Sequence, residues 1–108
     1  MSKVFVEYQI LPAYRSNYSE WVTEVRALYE NVEFFEGSDQ PGLFVELWND
    51  MSKEQYQLLK QVRQGQAEER EAIASDRNPF DSTNWSRLGE WVKGGIEKVH
   101  IWHFEKVK

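Results

Sequence analysis

The sequence contains no cysteine among its 108 residues. This absence excludes a disulfide framework, a thiolate nucleophile and every zinc site that depends on Cys ligands. No hydrophobic run approaches the roughly 20 residues that a membrane span needs, so we expect no membrane partner. A chain of this length can still bury a core without such cross-links, and we expect residues 1–108 to form a single domain.

Several functional signatures are missing as well. The net charge is −5, which argues against a nucleic-acid partner. The N-terminal segment lacks the unbroken apolar region of a signal peptide, so a cytoplasmic location is expected. We find no phosphate loop, nucleophile elbow, HExxH motif or Rossmann fingerprint, and no cofactor is therefore predicted.

Aromatic residues, by contrast, are abundant. They make up 15% of the chain and include five Trp, which is more than a domain of this size needs to fill a core. Surplus aromatic side chains are typical of interfaces and ligand pockets.

Hydrophobic periodicity predicts alternating strands and helices. Period-2 patterns mark strands at 3–11, 32–36, 43–49 and 97–107, and turn residues at 37–42 join the middle two as a hairpin. Helical spacing marks helices at about 17–30 and 52–75, which could begin with capping boxes of Asn17 with Glu20 and of Ser52 with Gln55. The inward positions of the second helix are Tyr56, Leu59, Val62 and Ile73.

With right-handed crossovers, this order predicts an α+β fold of the ferredoxin-like split βαβ type. The expected sheet is antiparallel and four-stranded, in the order 4-1-3-2, with both long helices on one face.

A short aromatic insert precedes the last strand. Residues 76–84 favour a loop, and Trp85, Leu88, Trp91 and Val92 share one face of a short helix that two glycines end. The insert is either a plug over the sheet edge, which is the favoured alternative, or a lid over a ligand that Trp85 would contact.

Alternation gives each strand two faces. We assign the aliphatic face to the helices: Val4, Val6, Ile10, Val32, Phe34, Val45, Leu47, Val99 and Ile101. The other face mixes rings and charges: Phe5, Glu7, Gln9, Phe35, Phe44, Glu46, Trp48, His100, Trp102 and Phe104. Because a sheet face this apolar is unstable in water, it must pack against something.

The element order and face composition resemble the dimeric α/β-barrel superfamily over the whole chain. Its ferredoxin-like domains pack their sheets face to face across a two-fold axis, and its members include antibiotic-biosynthesis-type monooxygenases, haem-degrading monooxygenases and muconolactone isomerase-like enzymes. The resemblance implies a homodimer that binds a small organic ligand. It also implies cofactor-independent monooxygenation or isomerisation as possible activities. Haem-degrading members use an Asn, a Trp and a His, and this face supplies only the last two types, which argues against haem.

The strand order could bring two carboxylates and an imidazole together among the rings of the mixed face. Glu7, Glu46 and His100 are therefore predicted to be catalytic, since a carboxyl in such surroundings can transfer protons near neutral pH. The predicted ligand-binding residues are Phe5, Phe44, Trp48, Trp85 and Trp102. The alternative is a non-catalytic protein in which these groups only hydrogen-bond at a dimer seam, and both alternatives stay open.

The second histidine near the C-terminus does not join that set. His103 is three residues from His100, so the two side chains lie on opposite faces and cannot share a metal. We predict no metal site, and we expect His103 to be a hydrogen-bonded histidine at the sheet edge.

Overall fold

A computed structural model describes residues 2–64, 79–80 and 83–108. The strands are β1 (Ser2–Gln9), β2 (Val32–Glu36), β3 (Leu43–Asn49) and β4 (His100–Glu105), and the helices are α1 (Arg15–Leu28), α2 (Lys53–Arg63) and α3 (Ser86–Trp91). All strand pairs are antiparallel, in the order β2-β3-β1-β4. The predicted ferredoxin-like fold and its 4-1-3-2 sheet order are confirmed. Among the described residues, no helix combines the length and the hydropathy needed to cross a bilayer.

The two long helices begin differently. The capping box of α2 is present: the Gln55 amide donates to the Ser52 hydroxyl at 3.1 Å, and the Ser52 amide donates to the Gln55 side chain at 2.9 Å. The prediction of a capping box at Asn17 is wrong, because α1 starts at Arg15, directly after a 3-10 turn at Pro12–Tyr14. Proline pre-sets the backbone angle for that turn, so the helix starts before Asn17. The predicted extension of α2 to residue 75, with Ile73, lies outside the described residues.

The insert and the last strand follow the predicted order with shifted boundaries. A 3-10 turn at Ile96–Lys98 delays β4, which begins at His100 rather than at 97. All four residues predicted to share one face of the insert are buried. Trp85 is 3% exposed, and its indole nitrogen donates to the Phe80 carbonyl at 2.7 Å. Burial of Trp85 to this extent agrees with the favoured alternative, a plug over the sheet edge.

The register of β3 shows that the predicted assignment of its two faces is wrong. Directly paired residues of antiparallel strands share a face, and the pairs are Val4 with Trp48, Val6 with Glu46 and Tyr8 with Phe44. Phe44, Glu46 and Trp48 therefore lie under the helices, and the open face carries Val45 and Leu47 instead. The prediction failed because it took aliphatic character as the mark of the inner face, whereas the space under the helices also holds many aromatic rings, among them Tyr18, Trp21 and Trp85.

Candidate functional site

The polar centre of the molecule is the Glu46 side chain, which is fully buried in the middle of β3. Its two oxygens accept from the two terminal nitrogens of Arg63 at 2.7 Å each. Oε2 also accepts from the Tyr8 hydroxyl at 2.5 Å, and Oε1 from the Trp48 indole nitrogen at 2.9 Å. The carboxylate is thus hydrogen-bonded on both oxygens. We call Tyr8, Tyr18, Glu46, Trp48 and Arg63 the polar network.

Arg63 enters this network from the last position of α2 and is 1% exposed. Its guanidinium lies 4.4 Å from the ring centre of Trp85 and 5.8 Å from that of Trp21, which adds cation–π attraction. Burial is the largest single influence and lowers the pKa of Arg63, but the charge and hydrogen bonds of Glu46, together with Tyr8 and Tyr18, outweigh it, and the pKa is raised. Within the described part of the chain, Arg63 Nε and Trp21 Nε1 are buried donors without an acceptor.

Two tyrosines extend the network toward α1. The hydroxyls of Tyr8 and Tyr18 lie 2.9 Å apart, so a continuous hydrogen-bonded path runs from Tyr18 through Tyr8 and Glu46 to Arg63. Burial, followed by the negative charge of Glu46, raises the pKa of both phenols above the ordinary value of 10.0. Both tyrosines therefore stay protonated at neutral pH and can donate hydrogen bonds, but they cannot act as bases.

A cavity of about 250 Å³ opens beside Tyr18, between α1 and the hairpin. We call it the α1 groove; its lining is Arg15, Tyr18, Ser19, Val22, Phe34, Phe35, Glu36 and Phe44. The charged residues of the groove are paired, since Arg15 donates to Glu36 at 2.6 Å. That bond, helped by the Gly42 amide, lowers the pKa of Glu36 to about 2.

The face of the sheet away from the helices, the open face, carries the second group of unusual residues. Glu7 pairs with His100 and Phe5 with Trp102 across β1 and β4. The His100 and Trp102 rings are stacked with their centres 5.8 Å apart. A shallow hollow of about 560 Å³ is lined by Phe5, Glu7, Val45, Trp102 and Phe104.

The structure divides the predicted site between two faces. The open face brings together Glu7, His100, Phe5 and Trp102, whereas the helix side holds Glu46, Phe44, Trp48 and Trp85. The expectation that Glu46 would meet Glu7 and His100 is wrong, because Glu46 pairs with Val6, on the opposite side of β1 from Glu7.

Sequence reasoning missed Tyr8, Tyr18 and Arg63 as members of a polar network. A signal existed for Arg63: it follows the inward-facing Leu59 by four residues and so lies on the same helix face. The prediction for His103 is confirmed, as its Nε2 is 3.3 Å from the Met51 carbonyl and its ring stacks on Tyr56. Within the described ranges, no group of three or more acidic, His or Cys side chains is placed to hold a metal ion.

Comparison with known proteins identifies the fold. No family model matches the sequence, and no curated protein matches it. The structure is similar to a solved structure described as the crystal structure of an antibiotic biosynthesis monooxygenase, with 17% sequence identity, a TM-score of 0.54 and coverage of 100% of both chains. The chain thus has the fold of that monooxygenase over its whole length, as the resemblance noted in the sequence implied.

Proposed function

We propose that this chain forms a homodimer through its open face and binds a small aromatic molecule in the α1 groove of each subunit. The observation that carries the binding proposal is the composition of that groove. The rings of Tyr18, Phe34 and Phe44 wall a cavity of about 250 Å³, and Arg15 and Glu36 add a charged pair. Apolar walls with a few fixed polar groups are typical of ligand sites. The likeness to a monooxygenase of antibiotic biosynthesis is in keeping with an organic ligand.

The polar network behind Tyr18 further supports a ligand site in the α1 groove. The Tyr18 ring lines the groove while its hydroxyl is held by Tyr8, which in turn donates to the ion-paired Glu46. Because the network fixes Tyr18 in one position, the groove wall does not need to reorganise when a ligand enters, which lowers the cost of binding.

Binding in the α1 groove is tested with a library of single-ring aromatic compounds, by following amide shifts of the labelled protein. Compounds that bind should shift signals of Val22 and Phe44. Ser19→Phe should abolish this binding, because Ser19 is an exposed residue that lines the groove. Ser86→Phe is the matched control, an exposed serine on α3 that is not part of this groove. No binder in the library, or equal binding to the Ser19→Phe variant, would contradict the proposal.

The dimer proposal rests on the exposed rings of the open face. Phe35, Trp102 and Phe104 are 49%, 43% and 52% exposed on one sheet surface that no described helix covers. A two-fold interface buries the same patch on both subunits, and stable interfaces bury roughly 800 Å² per partner. In such a dimer Glu7 and His100 would lie at the seam.

Sedimentation velocity at micromolar concentration tests the dimer. The wild-type protein should sediment as a dimer and Trp102→Glu as a folded monomer, since the substitution places a charge in the apolar interface. Leu28→Glu is the control, because Leu28 is 53% exposed but lies at the end of α1, away from the sheet face. A wild-type monomer would remove the dimeric barrel from consideration.

The likeness to a monooxygenase favours a second candidate, cofactor-independent monooxygenation or isomerisation of a molecule held in the hollow of the open face, at the dimer seam. Glu7 lines that hollow and pairs with His100, so these two stay the predicted catalytic residues there, but they lie on the opposite side of the sheet from the α1 groove. Oxygen consumption and product masses should be measured with each compound that binds, for the wild type and for Glu7→Gln. A stable dimer without a binder or product would favour the alternative in which the aromatic face serves assembly alone.

A further inference from the structure

The α1 groove contains an ion pair beside its aromatic walls, and this pair bears on the class of ligand. Arg15 Nη2 donates to Glu36 Oε1 at 2.6 Å, and both side chains line the cavity. Both also remain accessible, since 53% of the Arg15 side chain and 29% of the Glu36 side chain are exposed. A molecule in the groove can therefore reach both charges.

Contacts on both sides hold the pair in position. The Arg15 guanidinium lies over the Phe44 ring, 5.4 Å from its centre, and Glu36 Oε2 accepts from the Gly42 amide at 2.9 Å. The hydrogen bond from Arg15 is the main cause that lowers the pKa of Glu36 to about 2, so this carboxylate is charged at neutral pH. The groove thus presents a positive and a negative charge side by side.

Both members of the pair can form further hydrogen bonds. A guanidinium has other N–H donors besides the one that Glu36 uses, and each carboxylate oxygen can accept more than one hydrogen bond. The Tyr18 hydroxyl, by contrast, is not free to donate to a ligand. Tyr8 gives its only hydrogen to Glu46, so Tyr18 must be the donor in the contact between the two phenols. The charged pair therefore supplies the strongest polar contacts that the lining offers.

A zwitterion matches two opposite charges placed this close together. A ligand with one charge would meet a like charge beside its counter-ion, which costs affinity, whereas a carboxylate and an ammonium on one carbon can each find the opposite sign. The cavity of about 250 Å³ is smaller than the roughly 300–1,000 Å³ of sites for drug-sized ligands, which favours a body with a single ring.

We infer, on the basis of the binding proposed above for this groove, that its ligand is an aromatic amino acid with free α-amino and α-carboxylate groups. The carboxylate pairs with Arg15 and the ammonium with Glu36. The ring packs against the apolar wall of Tyr18, Phe34 and Phe44.

Four compounds built on the same phenyl ring and carbon chain test this inference. They are L-phenylalanine; 3-phenylpropionate, which lacks the ammonium; 2-phenylethylamine, which lacks the carboxylate; and ethylbenzene, which lacks both. Titrations followed by the amide shifts of Val22 and Phe44 give the dissociation constants. L-phenylalanine should bind about fivefold or more tightly than either singly charged compound, which corresponds to the upper range for an ion pair partly exposed to water.

Matched substitutions assign the two contacts. Glu36→Gln should weaken binding of L-phenylalanine and 2-phenylethylamine but not of 3-phenylpropionate, and Arg15→Gln should weaken binding of L-phenylalanine and 3-phenylpropionate but not of 2-phenylethylamine. Ethylbenzene should bind both variants as it binds the wild type, which controls for an intact groove. Glu33→Gln makes the same charge change on β2 at a residue that pairs with Leu47 on the open face, and it should leave all four affinities unchanged.

Three results would overturn the inference. They are L-phenylalanine binding no tighter than either singly charged compound, unchanged L-phenylalanine binding in Glu36→Gln, and L-phenylalanine binding that Ser19→Phe does not reduce. Binding of ethylbenzene that Ser19→Phe abolishes would in each case still support the α1 groove as a ligand site. If none of the four compounds binds, the inference falls, whereas the wider proposal for the groove falls only if the compound library also gives no binder.

Discussion

Neutralising Glu46 should be among the most destabilising single changes in this protein. In Glu46→Gln the shape is kept, but the charge that balances Arg63 is lost, and an amide NH₂ replaces one of the two oxygens that accept hydrogen bonds from Arg63, Tyr8 and Trp48. Removing one partner of a buried ion pair costs about 3–5 kcal/mol. Against a total stability of about 5–15 kcal/mol, this is a large fraction, although the variant should still fold.

The assay is urea denaturation followed by tryptophan fluorescence. With a slope of roughly 2 kcal/mol per M, the expected loss lowers the midpoint by about 2 M without changing the slope. Glu33→Gln is the matched control, since Glu33 is an exposed strand residue that contacts Asn49, and it should change stability by less than about 0.5 kcal/mol.

A double-mutant cycle separates the ion pair from other effects of the substitution. Glu46→Leu and Arg63→Met should each be strongly destabilising, whereas the double variant should lose less than either single one, because it leaves no charge uncompensated in the core. The reasoning would be refuted by a loss below about 1 kcal/mol in Glu46→Gln, or by additive effects in the cycle. Either result would mean that water reaches these charges in solution.

Three further predictions concern the insert and the titrating groups. Trp85→Ala should lower the free energy of unfolding by about 3–5 kcal/mol if the insert is a plug, whereas a lid residue would change it little. In an NMR titration, Arg15→Gln should raise the pKa of Glu36 from about 2 toward its ordinary value of 4.5. In the wild type the lowered pKa stabilises the fold at pH values above 4.5, and this contribution is lost as the pH falls toward 2. The raised pKa of Tyr18 contributes to the free energy of unfolding; this contribution is complete below pH 10.0 and is lost as the pH rises above that value. Tyr18→Phe should therefore reduce the loss of stability that denaturation measures at alkaline pH. An unchanged loss would contradict the burial of this phenol.

Local patterns were sufficient to predict much of this fold. The period-2 and helical segments have their predicted order, and the hairpin strands Val32–Glu36 and Leu43–Asn49 have their predicted bounds. The capping box at Ser52 and the hydrogen-bonded His103 were also predicted correctly. The capping box depends on residues close together in the chain, and the elements follow from hydrophobic periodicity, so the sequence contains the information they need. For His103 the sequence predicted a hydrogen-bonded histidine at the sheet edge but not its partner, Met51, which is 52 residues away.

The division of the site between two faces was decided by the tertiary structure. Alternation shows that Phe44, Glu46 and Trp48 share one face of β3, but it does not show which face looks inward, because Leu43, Val45 and Leu47 form an equally apolar set. The choice depends on Arg63, which is 17 residues beyond Glu46 and supplies the charge that makes a buried carboxylate stable. The sequence by itself determined the elements and their order, whereas the side of β3 that became the core depends on contacts between residues distant in the chain, among them the ion pair of Glu46 and Arg63 and the packing of Phe44 and Trp48.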